Sequence, residues 1–404
     1  MQTTSNSLGS KHARQCLIYL AKLHGPALSS PQERQEHIYS FFGNLETSLS
    51  TLSRASRQLH EPGPHALHLA TLTYTLLHEL QMASGLGLLC QTPTLLTSIT
   101  LAWKFLLSSA PYDDGTWYWD AASQLAATWA SILEGLGKME WDPLARGVVR
   151  DLRGQGAELA AMYVRGRLSW AERQASIEED EEMDVEIEMK DWELYDEELS
   201  NWAGVVRPVS SESLNFILET ISSRIDEFLR FDDLNNNHGT TLFPQLLITV
   251  LYILHDQIHW CLLMTGFFLA DEPPKLPYPT RHYITTSTLA TSIAQQVLRF
   301  FNSVTDESSD KMSPQVVETL YWWFERWGFT YLFAPDDELG DQVGVPGGGD
   351  WKGLASWGIA RMRKDVEGWA GEKEIISQII KCLKTFARVG RVRDVLLLCG
   401  IFLN

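Results

Sequence analysis

Basic residues are under-represented in this sequence: 33 lysines and arginines stand against 51 aspartates and glutamates, a formal net charge of −18. Phosphate binding needs clustered cations, so the balance argues against a nucleic-acid groove and for basic or apolar partners. Cysteine is rarer still. Cys16, Cys90, Cys261, Cys382 and Cys399 form an odd set without a Cys-x-x-Cys pair, so neither a zinc ribbon nor a disulfide framework is suggested, and a reducing compartment fits. The opening MQTTSNSLGSKHARQ has no apolar core behind a basic start, so no signal peptide is read there. Uninterrupted apolar runs are lacking as well. The most apolar stretch, residues 242–270, carries Pro244, His255, Asp256, Gln257 and His259, and polar groups at that depth disfavour a membrane span.

Signatures of catalysis are equally scarce. GVPGGGD, residues 344–350, has glycines but no Lys-Ser or Lys-Thr beyond them and no strand before them, so it is not a phosphate loop. No Gly-x-Ser-x-Gly occurs, and no cysteine has an evident catalytic context. HDQIH, residues 255–259, is a near miss to the zinc-protease helix word His-Glu-x-x-His. Its two histidines are one helical turn apart, a spacing that suits two zinc ligands. The chemistry fails further along: CLLMTGFFLA offers no third ligand after His259, and Asp256 is a methylene too short for the usual general base. Leu251, Leu254, Ile258, Leu262 and Thr265 look instead like the buried stripe of a scaffold helix, so His255 and His259 are expected to be structural. The expectation is a non-enzyme with no cofactor.

What the chain has in abundance is helical periodicity. It is 45% hydrophobic with 15 Trp, 16 Phe and 12 Tyr, enough to bury a large core. Sustained alternation is almost absent, whereas the 3.6-residue period recurs through nearly every segment. In ARQCLIYLAKLHG the stripe is Ala13, Cys16, Leu17, Leu20 and Leu23, ended by Gly25 and Pro26. Pro31 opens the next helix, striped by Ile38, Phe41, Phe42, Leu45, Leu49 and Leu52. Ser210 or Ser211 offers a cap for a helix beginning SESLNF, and Ser313 caps another whose first position is Pro314 and whose face is Val317, Leu320, Phe324, Trp327 and Tyr331. WYWD at 117–120 and YWWFERW at 321–327 read as core packing, with Glu325 and Arg326 on the wet side.

About a dozen helices joined by short turns predict an all-α fold, and hairpins recurring every 40 or so residues point to an α-solenoid of HEAT-like antiparallel helix pairs. No strict word repeats, and a compact bundle is the alternative. The reading divides the chain into helical repeats over 1–175, an acidic insertion over 176–200, and further repeats over 201–404.

That insertion breaks the pattern. From Glu178 to Glu198 the chain carries thirteen carboxylates and one lysine, a local charge of −12. Two unit charges 5 Å apart in water repel by about 0.8 kcal/mol before screening, so compaction is disfavoured and a solvated loop is expected. Glu178, Glu179, Asp180, Glu181, Glu182 and Asp184 are its candidate contacts to a basic protein surface, because such a field raises encounter rates with cationic partners. A plain solubilising loop is the alternative reading.

Four blocks, in order, carry a family resemblance. RQCLIYLAKLHGPAL (14–28), the acidic run followed by YDEELSNWAGVVRPV (195–209), LHDQIHWCLLMTGFFLADE (254–272) and MSPQVVETLYWWFERWGFTYLFAPDDE (312–338) resemble segments of the exportin-4 family of nuclear transport receptors. Residues 60–170 match only in helical character. The family position of His255 is typically tyrosine. The resemblance implies a right-handed karyopherin superhelix that shuttles between nucleus and cytoplasm, meets nuclear pore proteins, and wraps basic cargo, such as a hypusine-bearing translation factor, together with Ran GTPase in its GTP form. Family members are more than twice as long, and these residues look like their middle third. The N-terminal repeats, which hold much of the Ran contact, would then lie outside this chain. A general helical-repeat scaffold that never meets Ran is the alternative function.

Overall fold

Proline occupies the first position of six helices, at Pro31, Pro62, Pro93, Pro143, Pro244 and Pro314. There its missing N–H has no helical partner to lose, and its fixed φ already suits the helix. The computed structural model describes residues 2–23, 27–54, 62–113, 116–139, 141–177, 189–238, 244–270, 288–304, 312–331 and 351–388. Among these residues are fourteen α-helices and three short 3-10 segments, and no strand. The fold is all-α, as the periodicity predicts. No helix among the described residues is long and apolar enough to cross a membrane.

The chain divides into two compact units. The first, residues 1–170 with 189–209, contains α1 (Gln2–Ala21), α2 (Pro31–Ser53), α3 (Pro62–Met82), α4 (Pro93–Ser109), α5 (Trp117–Gly137), most of α6 (Pro143–Ile177), the single turn α7 (Asp191–Leu194) and α8 (Asp196–Val206). Within it α1 packs on α3, α2 on α3 and α4, α3 on α5, α4 on α5, and α5 on α8. Contact therefore runs mainly between a helix and the next but one.

The second unit, residues 171–188 with 210–404, contains α9 (Ser210–His238), α10 (Pro244–Leu269), α11 (Thr288–Ser303), α12 (Pro314–Tyr331), α13 (Trp351–Gly368) and α14 (Lys373–Ala387). Here α9 meets α10 and α11, α10 meets α11 and α12, and α14 meets α12 and α13. The centre of this unit is α10 and α12.

α2 forms as its sequence dictates. Ser30 is an extended N-cap whose hydroxyl accepts from the Glu33 amide, while the Glu33 carboxylate accepts from the Ser30 amide at 3.0 Å, a complete capping box before Pro31. Its buried residues are Ile38, Phe42, Leu45, Leu49 and Leu52, with Phe41 half-buried. α12 likewise starts at Pro314 and buries Val317, Leu320, Phe324, Trp327 and Tyr331.

Three local expectations are corrected. In α1 the predicted stripe is not the buried one: Ala13, Cys16, Leu17, Leu20 and Leu23 are exposed, and Ile18 and Ala21 are buried with Arg14 half-buried beside them. Residues 14, 18 and 21 share a face one turn apart, and that face is the one α1 turns inward. α9 begins at Ser210 directly after a 3-10 segment, Arg207–Val209, so Ser210 and Ser211 lie inside its first turn rather than before it. Finally, α12 has no wet side at its middle. Glu325 is 4% and Arg326 7% exposed, because the helix lies between α10 and α14.

Candidate functional site

Charged residues buried in helices need partners, and those partners define the polar sites of this molecule. In the first unit Tyr163, Arg167 and Trp170 recur at helical spacing along one face of α6. Arg167, 1% exposed, donates from Nε to Glu198 Oε1 at 2.9 Å and from an Nη to Glu198 Oε2, and the Tyr163 hydroxyl donates to Glu198 Oε1 at 2.7 Å. The guanidinium lies 3.9 Å from the centroid of the Trp119 ring and 5.0 Å from that of Tyr195. Such forked, stacked geometry is available to arginine and not to lysine. Burial, the largest single influence, lowers the pKa of Arg167, but Glu198, Tyr163 and Tyr195 together outweigh it and the guanidinium is held above its usual value. Burial, reinforced by Glu198, pushes the Tyr163 phenol well above its ordinary range.

This pair bears on the acidic segment. Glu178, Glu179, Asp180, Glu181, Glu182 and Asp184 lie outside the described residues. From Met189 the chain is described again, and the last carboxylate of the acidic run, Glu198, is the internal partner of Arg167 rather than a solvated charge. Trp192 is buried and Tyr195 half-buried in the same stretch, whereas Glu193, Asp196 and Glu197 are exposed. The acidic run is thus anchored at its C-terminal end by aromatic burial and one ion pair. Sequence reading missed Arg167 and Tyr163. The available signal was a basic residue and an aromatic four apart on a face that is otherwise apolar.

In the second unit the HDQIH histidines are interior. His255 is 4% exposed and its ring centroid lies 5.5 Å from that of Phe228. Burial lowers its pKa from 6.5 to about 4. His259 Nδ1 is 2.8 Å from the Thr319 hydroxyl, which itself donates to the Gln315 carbonyl at 2.7 Å. A hydroxyl has one proton, so Nδ1–H of His259 is the donor and its Nε2 is left as the acceptor, 3.5 Å from the Gln315 amide nitrogen. The predicted scaffold stripe is part of a wider burial. Leu254, Ile258, Leu262 and Thr265 are buried and Leu251 half-buried, His255 lies buried within the same stripe, and His259 at its edge and Gln257 and Trp260 on the other faces are buried too. No group of three His, Cys, Asp or Glu side chains among the described residues could hold a metal ion.

The buried charges of α12 belong to a similar network. Glu325 accepts from Gln378 Nε2 at 2.9 Å and from the Thr385 hydroxyl at 2.5 Å, with Lys381 Nζ 4.0 Å away. Arg326 donates from Nε to the Ala270 carbonyl at 3.2 Å and stacks 4.1 Å from the Phe267 centroid. One turn earlier the Tyr321 hydroxyl donates to Asp365 Oδ2 at 2.6 Å, and Arg361 Nε donates to the same oxygen at 2.7 Å. Burial and the neighbouring Asp365 carboxylate raise the Tyr321 phenol well above its usual value. These networks bond helix to helix with every charge answered by an opposite charge, an amide or an aromatic face. The hydroxyls of Tyr163, Tyr321 and Thr385 spend their protons on the buried carboxylates. The buried Cys261 thiol, pushed up to about 12 by burial, is likewise in its inert form.

No protein-family model matches the chain.

Proposed function

We propose that this chain is a segment of a nuclear transport receptor similar to the exportin-4 family. It is built as a right-handed solenoid of HEAT-like hairpins, and its concave face and acidic segment hold basic protein cargo and, with it, Ran in its GTP form. The reading rests on the resemblance of four sequence blocks, at 14–28, 195–209, 254–272 and 312–338, to segments of that family taken in order. Two further facts support it. Helix contacts within each unit run largely between a helix and the next but one, as stacked hairpins require. The net charge of −18 suits basic cargo better than nucleic acid. Shuttling between nucleus and cytoplasm and contact with nuclear pore proteins follow from the same reading.

The deciding experiment is an interferometry assay of the purified chain, and of a version extended at both ends, against Ran locked in its GTP form with and without a hypusine-bearing translation factor. Binding that strengthens when both ligands are present supports a receptor. Capture of basic proteins without any Ran dependence would make the chain a general helical scaffold, and binding of neither ligand by either version would end the transport reading.

A further inference from the structure

The inward face of α1 does more than pack. Arg14, brought there by the same rotation that buries Ile18 and Ala21, lines a cavity of about 500 Å³ shared by α1, α2 and α3. Its other polar groups of note are His65 and His68, one turn apart in the first two turns of α3. Its walls are otherwise mostly apolar, with Phe41 and Leu45 from α2 and Leu69 and Leu72 from α3. The volume falls within the usual size of small-ligand pockets.

Charge sets this cavity apart from the rest of the chain. In a protein with 51 acidic and 33 basic residues, no carboxylate is among the described residues that line it, whereas three groups able to carry positive charge are. They sense one another. The pKa of His65 is held below 6.5, first by burial and then by the positive fields of Arg14 and His68. His68 donates from Nδ1 to the Pro64 carbonyl at 2.6 Å, so its Nε2 donates to an anion only in the imidazolium form.

We infer that the cavity between α1, α2 and α3 is a binding site for a small amphipathic anion, a carboxylate or phosphate monoester head on a short apolar body. The head sits between Arg14, which offers a forked set of donors, and the two histidines. The body lies against Phe41, Leu45 and Leu69. This site is independent of basic-protein binding, because its charge preference is the opposite one.

Calorimetric titration of the full chain with octanoate, octyl phosphate, octanol and octylammonium tests it. Saturable one-site binding of at least one of the two anions is expected, with octanol and octylammonium weaker by about tenfold or more, the difference a hydrogen-bonded charge makes. The preference between octanoate and octyl phosphate assigns the head group. Arg14→Gln, a half-buried position whose change leaves the helical circular dichroism unaltered, should weaken the preferred anion about tenfold. Leu72→Trp, which fills the apolar end, should abolish binding of all four probes. Octanol binding as tightly as the anions, an Arg14→Gln chain that binds octanoate and octyl phosphate like the wild type, or no saturable uptake of either anion by the wild type would each overturn the site.

Discussion

Arg167 and Glu198 are thirty-one positions apart, the arginine before the most acidic stretch of the chain and the glutamate its last carboxylate, yet they form a two-pronged ion pair with the arginine 1% and the glutamate 11% exposed. Arg167→Met should therefore be severe, since it leaves the Glu198 carboxylate buried with only the Tyr163 hydroxyl for company. Removing one partner of a buried pair costs about 3–5 kcal/mol, whereas replacing both with apolar residues of similar volume is often close to neutral. Urea unfolding followed by circular dichroism should show the large loss for Arg167→Met and recovery of much of it in the Arg167→Met/Glu198→Leu double variant. Equal losses for the single and double changes would mean that the stacking of the guanidinium on Trp119, not the charge, is what the site depends on.

The burial of Glu325 gives a sharp contrast between two readings of α12. A wet-side glutamate tolerates Glu325→Leu within about 0.5 kcal/mol. The carboxylate observed here accepts from Gln378 and Thr385 and is 4% exposed. Replacement with leucine strands both donors, and each buried donor without an acceptor costs about 1–3 kcal/mol. A fall in unfolding free energy of at least about 2 kcal/mol is expected by denaturant titration.

His255 sets a pH dependence whose sign follows from its lowered pKa. The folded protein binds its proton only near pH 4, whereas the unfolded chain binds it near 6.5. Between these values the unfolded state holds more protons, so stability rises with pH; it is fully present above about 6.5 and is lost as pH falls toward about 4. The group's share of the loss is on the order of 3 kcal/mol, from a lowering of about 2.5 units at 1.36 kcal/mol per unit. His255→Phe keeps a ring against Phe228 and removes the proton. Chemical denaturation at pH 7 and pH 5 should show a smaller difference between the two pH values for the variant than for the wild type.

Gly266 of α10 packs directly against the Trp322 ring of α12. A Cβ there would lie 2.5 and 2.7 Å from two carbons of the Trp322 ring and 3.4 Å from Trp323. The Trp322 ring is itself flanked by Phe267 and the Arg326 guanidinium, so it has little room to yield. Gly266→Ala gains up to about 1 kcal/mol in helix propensity, but overpacking costs about 1–3 kcal/mol. A net loss of about 1–2 kcal/mol should appear as a lowered thermal midpoint. A raised midpoint would show that the two helices can separate slightly without penalty.

How far these features were legible beforehand depends on how much each is decided locally. The helices were, because an apolar period and a proline or serine at the start act within one segment: α2 and α12 begin at Pro31 and Pro314 and bury the faces their spacing marks out. Which face turns inward is a tertiary matter. α1 offers two helical faces, and packing on α3 selected Ile18 and Ala21 over the greasier row of Leu17, Leu20 and Leu23. Buried charge is harder still to read. Glu325, Arg326, Arg167 and Glu198 look like solvated residues until Gln378, Ala270 and Tyr163 are brought beside them from segments 30 to 60 positions away. The cavity at Arg14 was hidden for the same reason, since its three cation-capable groups come from two helices whose relative rotation no single segment encodes.

The acidic segment yields the prediction closest to the proposed function. If its field draws basic proteins, changing Glu178, Glu179, Asp180, Glu181 and Glu182 to glutamine removes five negative charges from a stretch whose local charge is −12. Long-range steering acts mainly on the association rate and is screened over a Debye length of about 8 Å at physiological salt. The expected result is an association rate with a lysine-rich partner reduced about tenfold at low salt, a shallower dependence of that rate on salt, and a dissociation rate little changed. Arg167 and Glu198 are untouched by the substitutions, so the thermal midpoint should stay with the wild type. Stopped-flow or interferometry across a salt series reads all three quantities. An unchanged association rate at low salt would reduce the segment to a solubilising linker and move the search for cargo contacts to the helical faces.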